Sequence, residues 1–256
     1  MSNTTGKLSG VIITFNEQRN IERCLQSLIN VVDEIIVVDS FSTDQTKSIC
    51  KRYNVNFIEQ EFLGYIEQKN FALQQTTYNH VVSLDGDEAL SKTLQKSILD
   101  LKTNWQFEGY YANRFNNFCG QWIKHSDWYP NKKLRVFDKT KAEWQGINPH
   151  DNVKLHNTNA KTSHLKGDIL HWTYATYNEM DEKTDYFSTI AAKAYFNKGK
   201  TAPIIKLVWN PFWAFFKAFI LRLGFLDGKN GFRICYQTGK ITYLKYKKLR
   251  QLIKAS

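Results

Sequence analysis

Four short runs of aliphatic and β-branched residues, Leu8–Thr14, Glu34–Asp39, Asn56–Glu59 and His80–Leu84, alternate with stretches whose apolar residues recur at helical spacing. In the first interval Ile21, Cys24, Leu25 and Leu28 fall at i, i+3, i+4 and i+7, one face of a helix. Ser42-Thr43-Asp44-Gln45 has the form of a capping box, which predicts a helix running to about Tyr53. Tyr65–Gln75 reads as a third helix, and Ser91 caps a fourth with Leu94, Ile98 and Leu101 turned inward. Strand–helix alternation of this kind implies right-handed crossovers and a parallel sheet covered on both faces. Sheets of that class bind ligands at the carboxyl ends of their strands.

The polar punctuation lies at those ends. Thr14-Phe15-Asn16-Glu17 closes the first strand, Asp39-Ser40 the second and Asp85-Gly86-Asp87-Glu88 the fourth. Three carboxylates in four residues repel one another, and burial gains them nothing unless a cation neutralises them. Gly86 permits the tight turn that lets Asp85 and Asp87 face one point. Oxygen ligands of this kind suit Mg²⁺ or Mn²⁺, which bind substrate phosphates as well. The bland alternative is an acidic turn that starts the next helix. No Gly-x-Gly-x-x-Gly follows the first strand and no Walker loop is present, so phosphate would be held by metal and not by a glycine-rich loop.

Length and composition bound the rest. The 256 residues, 42% hydrophobic and 23% charged, suit one large globular domain or two modest ones. Cys24, Cys50, Cys119 and Cys235 have no paired spacing, which predicts free thiols in a reducing compartment. Met1–Ser9 is short and polar, so no signal peptide and a cytoplasmic location are expected. The net charge of +11 is uneven: after Asp185 the only acidic residue is Asp227. Such a tail asks for an anionic partner. No nucleic-acid motif accompanies it, and an acidic cluster at a strand end would repel phosphate in the absence of metal.

From Glu108 the texture changes. Gly109–Phe115, Lys133–Phe137 and Leu165–Leu170 read as strands, Trp144–Asp151 as a turn-rich loop and Tyr177–Asn197 as a helix. Trp122, Trp128, Tyr129 and Trp144 are candidates to stack on a sugar ring, or equally to be core. Pro203–Leu226 is the most apolar stretch, with Pro211 suited to a helix's first turn and Gly224 to its end. Lys206, Asn210, Lys217 and Arg222 interrupt it, which argues against a membrane span. Two readings remain open: a core helix, or a helix lying in a membrane interface. The lysine-rich run Lys240–Lys254 with its interleaved Tyr and Leu favours the second over a merely solvated basic helix.

Taken together, Thr14-Phe15-Asn16-Glu17, Val38-Asp39-Ser40-Phe41-Ser42-Thr43-Asp44, Lys69-Asn70 and Asp85-Gly86-Asp87-Glu88 resemble the inverting family 2 glycosyltransferases of GT-A fold, over roughly residues 8 to 175. Gly146, His150-Asp151, His171 and Gly224-Phe225-Leu226-Asp227-Gly228 look like the subgroup of lipopolysaccharide inner-core β-1,4-glucosyltransferases. Pro149-His150-Asp151 stands where that subgroup tends to have Val-His-Glu.

The resemblance implies a GT-A domain over residues 1–175, with a nucleotide-binding half (8–105) and an acceptor half (106–175), followed by a helical, basic region over 176–256. It implies that Thr14, Asn16, Glu17 and Asp39 hold the donor nucleotide. Asp39 would accept from a uracil N–H, since a carboxylate is an acceptor only. Lys69 and Asn70 would lie near the nucleotide, Asp85 and Gly86 at the ribose, and Asp87 at a Mg²⁺ or Mn²⁺ bridging the phosphates. His150 and His171 would ligate that metal or touch the diphosphate, and Arg135 would neutralise diphosphate or an acidic acceptor. Asp151 is the first candidate base and Glu88 the second. The expected activity is transfer of a hexose, glucose from UDP-glucose first, to a lipopolysaccharide core or other lipid-linked saccharide beside an anionic membrane surface. Two rivals stand against it. A nucleotidyltransferase would want a glycine- and arginine-rich loop that Leu8–Asn20 lacks, and a non-catalytic membrane- or nucleic-acid-binding module would leave the acidic cluster unexplained.

Overall fold

Every residue of Leu8–Thr14 (β1) is buried, as an uninterrupted aliphatic run requires of a central strand in a parallel sheet. The computed structural model describes residues 6–147 and 150–255, with the side chains of Ile147 and His150 outside that description. After β1 come α1 (Ile21–Leu28), β2 (Glu34–Asp39), α2 (Thr46–Cys50), β3 (Asn56–Glu59), α3 (Tyr65–Gln74), β4 (His80–Asp85), β5 (Glu88–Leu90) and α4 (Lys92–Leu101). The chain continues through β6 (Gly109–Phe118), β7 (Gln121–Trp122), β8 (Lys132–Asp138), β9 (Ala142–Ile147), β10 (His150–Leu155) and β11 (Thr162–Tyr174). Helices α5 (Tyr177–Asn197), α6 (Ile204–Phe216) and α7 (Gly228–Ala255) follow, with a π-helical turn at Lys217–Leu221 and a 3-10 turn at Gly224–Asp227.

The main sheet has the order β3-β2-β1-β4-β8-β6-β11-β5, with β7 added beside β6. Strands β3, β2, β1 and β4 are parallel; β8 runs antiparallel to β4, and β6 antiparallel to β8. Register aligns the strand ends: Thr14 pairs with Asp39 and Ile13 with Asp85. The polar ends of β1, β2 and β4 therefore meet along one edge of the parallel half. One face of the sheet packs on α1 and α4 through Ile12, Leu25, Leu28, Leu94 and Ile98. The other packs through Val11, Val38, Leu73 and Phe137.

The helices show where local sequence decides. Ile21, Cys24, Leu25 and Leu28 are all buried on α1. Ser91 Oγ accepts from the Leu94 amide at 3.2 Å, capping α4 as its sequence predicts. The capping box at Ser42 does not form. Ser42 is drawn instead to Asp39, and Asp44 Oδ1 takes the Thr46 amide, so α2 is only five residues long. Trp144–Asp151, expected as loop, falls in the antiparallel hairpin of β9 and β10, Asn148 and Pro149 lying outside the described residues. Pro211, expected in a first turn, is inside α6, where it removes a hydrogen bond and crowds the carbonyl four residues back.

The chain divides into two units. One comprises residues 1–114 and 131–172; the other comprises 115–130 and 173–256. In the second, Phe118 and Ile123 share a core with Met180 and Ile234. Helix α7 packs against both α5 and α6.

Candidate active site

The centre of the first unit is a lattice of alternating charge at the end of β4. Lys69 Nζ, on α3, lies 3.0 Å from Asp85 Oδ1 and 2.7 Å from Asp151 Oδ2. Arg135, on β8, lies 3.2 Å from Asp85 Oδ2 and 3.1 Å from Glu88 Oε1. Arg114 on β6 approaches the same Glu88 oxygen at 3.6 Å. Glu88 Oε2 accepts the Asp85 amide at 3.1 Å, closing the turn around Gly86. The Trp144 ring lies 4.3 Å from Lys69 Nζ and 4.9 Å from the Arg135 guanidinium carbon, a cation–π plate for both cations.

Burial alone would raise the Asp85 carboxyl, but Lys69 and Arg135 overcome it and hold that group well below the usual carboxylate range. Burial would likewise lower Arg135, and Glu88, Asp85 and Asp151 outweigh it. Lys133, two residues before Arg135, has the opposite balance. Burial, with Arg114 and Arg135 close by, pushes its ammonium down to about 8.

Asp87 Oδ2 lies 3.2 Å from His171 Nε2, and the Asp87 carbonyl accepts the Trp172 amide. Strand register makes this pair, because His171 on β11 stands opposite Glu88 on β5. A carboxylate beside an imidazole suits Mg²⁺ or Mn²⁺ that takes its other ligands from phosphate and water. Among the described residues no cluster of three or more His, Cys, Asp or Glu forms a cage by itself. The third residue expected at the metal, His150, has its side chain outside the described residues.

The loops after β1 and β2 form one clasp. Asn16 adopts a left-handed φ of 54°, accepts the Thr43 amide and donates its own amide to Ser42 Oγ. The Glu17 amide donates to Thr46 Oγ1. Asp39 is fully buried and accepts from the Ser42 hydroxyl at 2.5 Å and the Ser42 amide at 2.7 Å. Thr14 is buried, its Oγ1 has no hydrogen-bond partner among the described residues, and a Cβ on Gly86 would come within 2.8 Å of that oxygen. Gly86 is therefore required by close approach.

The structure thus brings Lys69, Asp85, Glu88, Arg135 and Asp151 together, places Asp87 beside His171, and joins Asn16 to the Asp39 loop. Asn70 has a different task from the expected nucleotide contact: its amide donates to the Trp144 carbonyl and accepts the Trp144 amide, both at 2.9 Å, fixing β9 on α3. Glu88 is fully buried and held by two arginines. Trp144 is covered by its two cations and buried, so no sugar can stack on it. Trp122 and Tyr129 pack on Phe115, and Trp128 on Phe118, within the second unit. Sequence reasoning missed Arg114 and Lys133. Lys133 shares a strand face with Arg135 by simple alternation, but only the pairing of β6 with β8 brings Arg114 to them.

The parallel half-sheet, the aligned acidic strand ends and the buried charge lattice define a nucleotide-sugar-transferase type of α/β fold, GT-A. Residues 9–156 match the sequence model of glycosyl transferase family 2. The chain belongs to that family and is a glycosyltransferase. An uncharacterized glycosyltransferase of Rickettsia prowazekii is 31% identical, over 96% of this chain and 87% of its own length. The lipopolysaccharide core biosynthesis glycosyltransferase LpsC of Rhizobium meliloti is 29% identical, over 86% of this chain and 82% of its own. Among solved structures, TarS (residues 1–349) of S. aureus aligns over 98% of this chain and 92% of its own at 16% identity, with a TM-score of 0.49.

Proposed function

We propose that the protein is an inverting glycosyltransferase that moves a hexose from a UDP-sugar, glucose first, to a saccharide of the lipopolysaccharide core or another lipid-linked acceptor at the cytoplasmic membrane. The single observation that carries the donor site is the meeting of Thr14, Asp39 and Asp85–Asp87 at the ends of three adjacent parallel strands. The likeness to LpsC supports the acceptor class.

In this reading the Asn16–Ser42 clasp, held in shape by the buried Asp39, seats the nucleoside, and Asp85 and Gly86 face its ribose. Asp87 and His171 are the residues that would hold Mg²⁺ or Mn²⁺, which when bound offsets the charge on the leaving diphosphate. Arg135 is fixed by Asp85 and Glu88 and adds a permanent positive charge nearby. The acceptor hydroxyl attacks the anomeric carbon from the face opposite the diphosphate. Its oxygen forms the new bond, the bond to the phosphate oxygen breaks with its electron pair, and the proton passes to Asp151. Lys69 holds Asp151 Oδ2, leaving Oδ1 for that proton. Glu88, clamped by arginines, positions Arg135 and takes second place as base. One displacement inverts the centre, so an α-linked donor yields a β-glycoside.

The testing experiment is calorimetric titration of UDP, with and without Mn²⁺, into the native protein and Asp87→Asn. Metal-dependent binding, weakened at least about tenfold by the substitution, is the expected result. Absence of UDP binding under every metal condition would overturn the donor assignment.

A further inference from the structure

The second unit carries a surface that donor chemistry does not use. Helix α6 has no buried residue. Ile204, Ile205, Val208, Trp209, Phe212 and Trp213 are each 46–72% exposed. They recur at i, i+1, i+4, i+5, i+8 and i+9, which is one face of a helix. The stripe continues through Leu221 in the π turn and Phe225 and Leu226 in the 3-10 turn, all exposed. Folded monomers rarely leave contiguous apolar patches beyond about a few hundred Å² bare.

The helix is nonetheless docked. Its inner side meets α7 at Gly239, where an added Cβ would lie 3.1 Å from the Pro211 carbonyl oxygen and 3.5 Å from Phe215 Cβ. Leu207 packs against the cluster of Tyr246 and Leu249. Among the described residues nothing covers the outer side.

Charge selects the occupant. Residues 198–256 hold thirteen of the chain's thirty-five lysines and arginines but only one of its twenty-four acids. Exposed Lys206 and Lys217 lie at the edges of the apolar stripe by helical spacing, and exposed Lys229 follows its last residues, Phe225 and Leu226, in sequence. At its N-terminal end a cleft of about 350 Å³ is lined by Pro203, Arg250, Ile253 and Lys254. An apolar face with tryptophans, rimmed by lysines, fits a bilayer interface with anionic headgroups. Ile204–Leu221 is long and apolar enough to be considered as a span, yet it is interrupted by Lys206, Pro211 and Lys217 and seated on the basic helix α7. Crossing the bilayer would take that helix's lysines with it.

We propose that the outer face of α6, with the turns that follow it, is a monotopic anchor that lies in the plane of an anionic lipid surface. This deepens the membrane location proposed above by naming the surface, its lipid class and its mode of contact. Trp209 and Trp213 enter the headgroup–acyl boundary, and the bordering lysines meet lipid phosphates.

The test is co-sedimentation of the full chain with vesicles of phosphatidylcholine alone or with one third phosphatidylglycerol. Binding should be at least about tenfold tighter to the anionic vesicles and should fall with salt. The Ile205→Asp/Trp209→Asp variant should lose at least about tenfold in vesicle affinity, with unchanged circular dichroism and unchanged UDP binding. Lys206→Glu/Lys217→Glu/Lys229→Glu should lose the preference for phosphatidylglycerol. Failure of the native chain to bind vesicles, or full binding by the apolar variant, would overturn the anchor. So would a native dimer that the apolar variant dissolves, because the face would then belong to a second copy. Resistance to alkaline carbonate extraction from membranes would replace the anchor with a span. UDP binding is read separately, so loss of the donor assignment leaves the vesicle result standing.

Discussion

Asp85 shares its two oxygens between Lys69 and Arg135, and each cation reaches on to a second carboxylate, Asp151 or Glu88. Removing one member leaves its partners charged, buried and mutually repulsive. Lys69→Met is therefore expected to cost about 3 kcal/mol in chemical denaturation. It should also lower turnover more than Lys69→Arg, which keeps the charge. The depressed Asp85 carboxyl sets a pH dependence with a definite sign. Its contribution to stability is complete above the unfolded value of about 4 and is lost as pH falls from there through the folded value. Unfolding curves between pH 5 and pH 2 should show that loss, and Asp85→Asn should flatten it. Lys133 runs the other way. Its ammonium, pushed down to about 8, is penalised in the fold below that pH and relieved as pH rises towards its unfolded value. Lys133→Met should stabilise the protein at pH 7 by about 1–2 kcal/mol, allowing for partial solvation. Lys69, Asp85, Glu88, Arg135 and Asp151 are named in the sequence through the family resemblance. The carboxylates at the strand end point there to a metal as their cation, whereas the structure sets Lys69 and Arg135 against Asp85 and Glu88. The pairing of each with its partner cannot be read from sequence, since Lys69 and Asp151 lie 82 positions apart.

At the scale of elements, β9 is held to α3 by the paired hydrogen bonds between Asn70 and the Trp144 backbone. Asn70→Ala should cost about 1–2 kcal/mol and loosen the plate beneath Lys69 and Arg135. Hydrogen exchange at the Trp144 amide would report it directly. A sharper constraint lies at Gly167, in β11, whose φ is +97° and whose added Cβ would fall within 2.3 Å of the Leu94 backbone nitrogen. Gly167→Ala should cost about 3 kcal/mol or more, read from the denaturation midpoint. Periodicity located the strands and long helices well, since Leu8–Thr14, Glu34–Asp39 and Tyr177–Asn197 form as their patterns require. It failed where side chains serve distant partners. Ser42 abandons its cap for Asp39, and the β9–β10 hairpin owes its strands to pairing with each other and to Asn70 rather than to local alternation. The exposed face of α6 was ambiguous by nature, because an apolar helix looks alike in sequence whether its outer side meets protein, lipid or water.

The whole molecule divides by contact and not by order along the chain. The second unit is assembled from residues 115–130 and the distant run 173–256. Asn230, near the start of α7, donates to the Phe118 carbonyl 112 positions earlier, and Ile234 closes the core around Phe118 and Ile123. A chain growing from the ribosome exposes Phe118 and Ile123 long before their partners exist, so this core can close only after Ile234 has been made. Cutting the chain at residue 175 would consequently not yield a trimmed catalytic fragment. It would strand an apolar segment in water, and the expected outcome is aggregation, measurable by light scattering of the purified fragment. The same order has a use for a protein with a sticky helical face: the apolar stripe of α6 becomes a shaped surface only once α7, the later helix, is in place behind it.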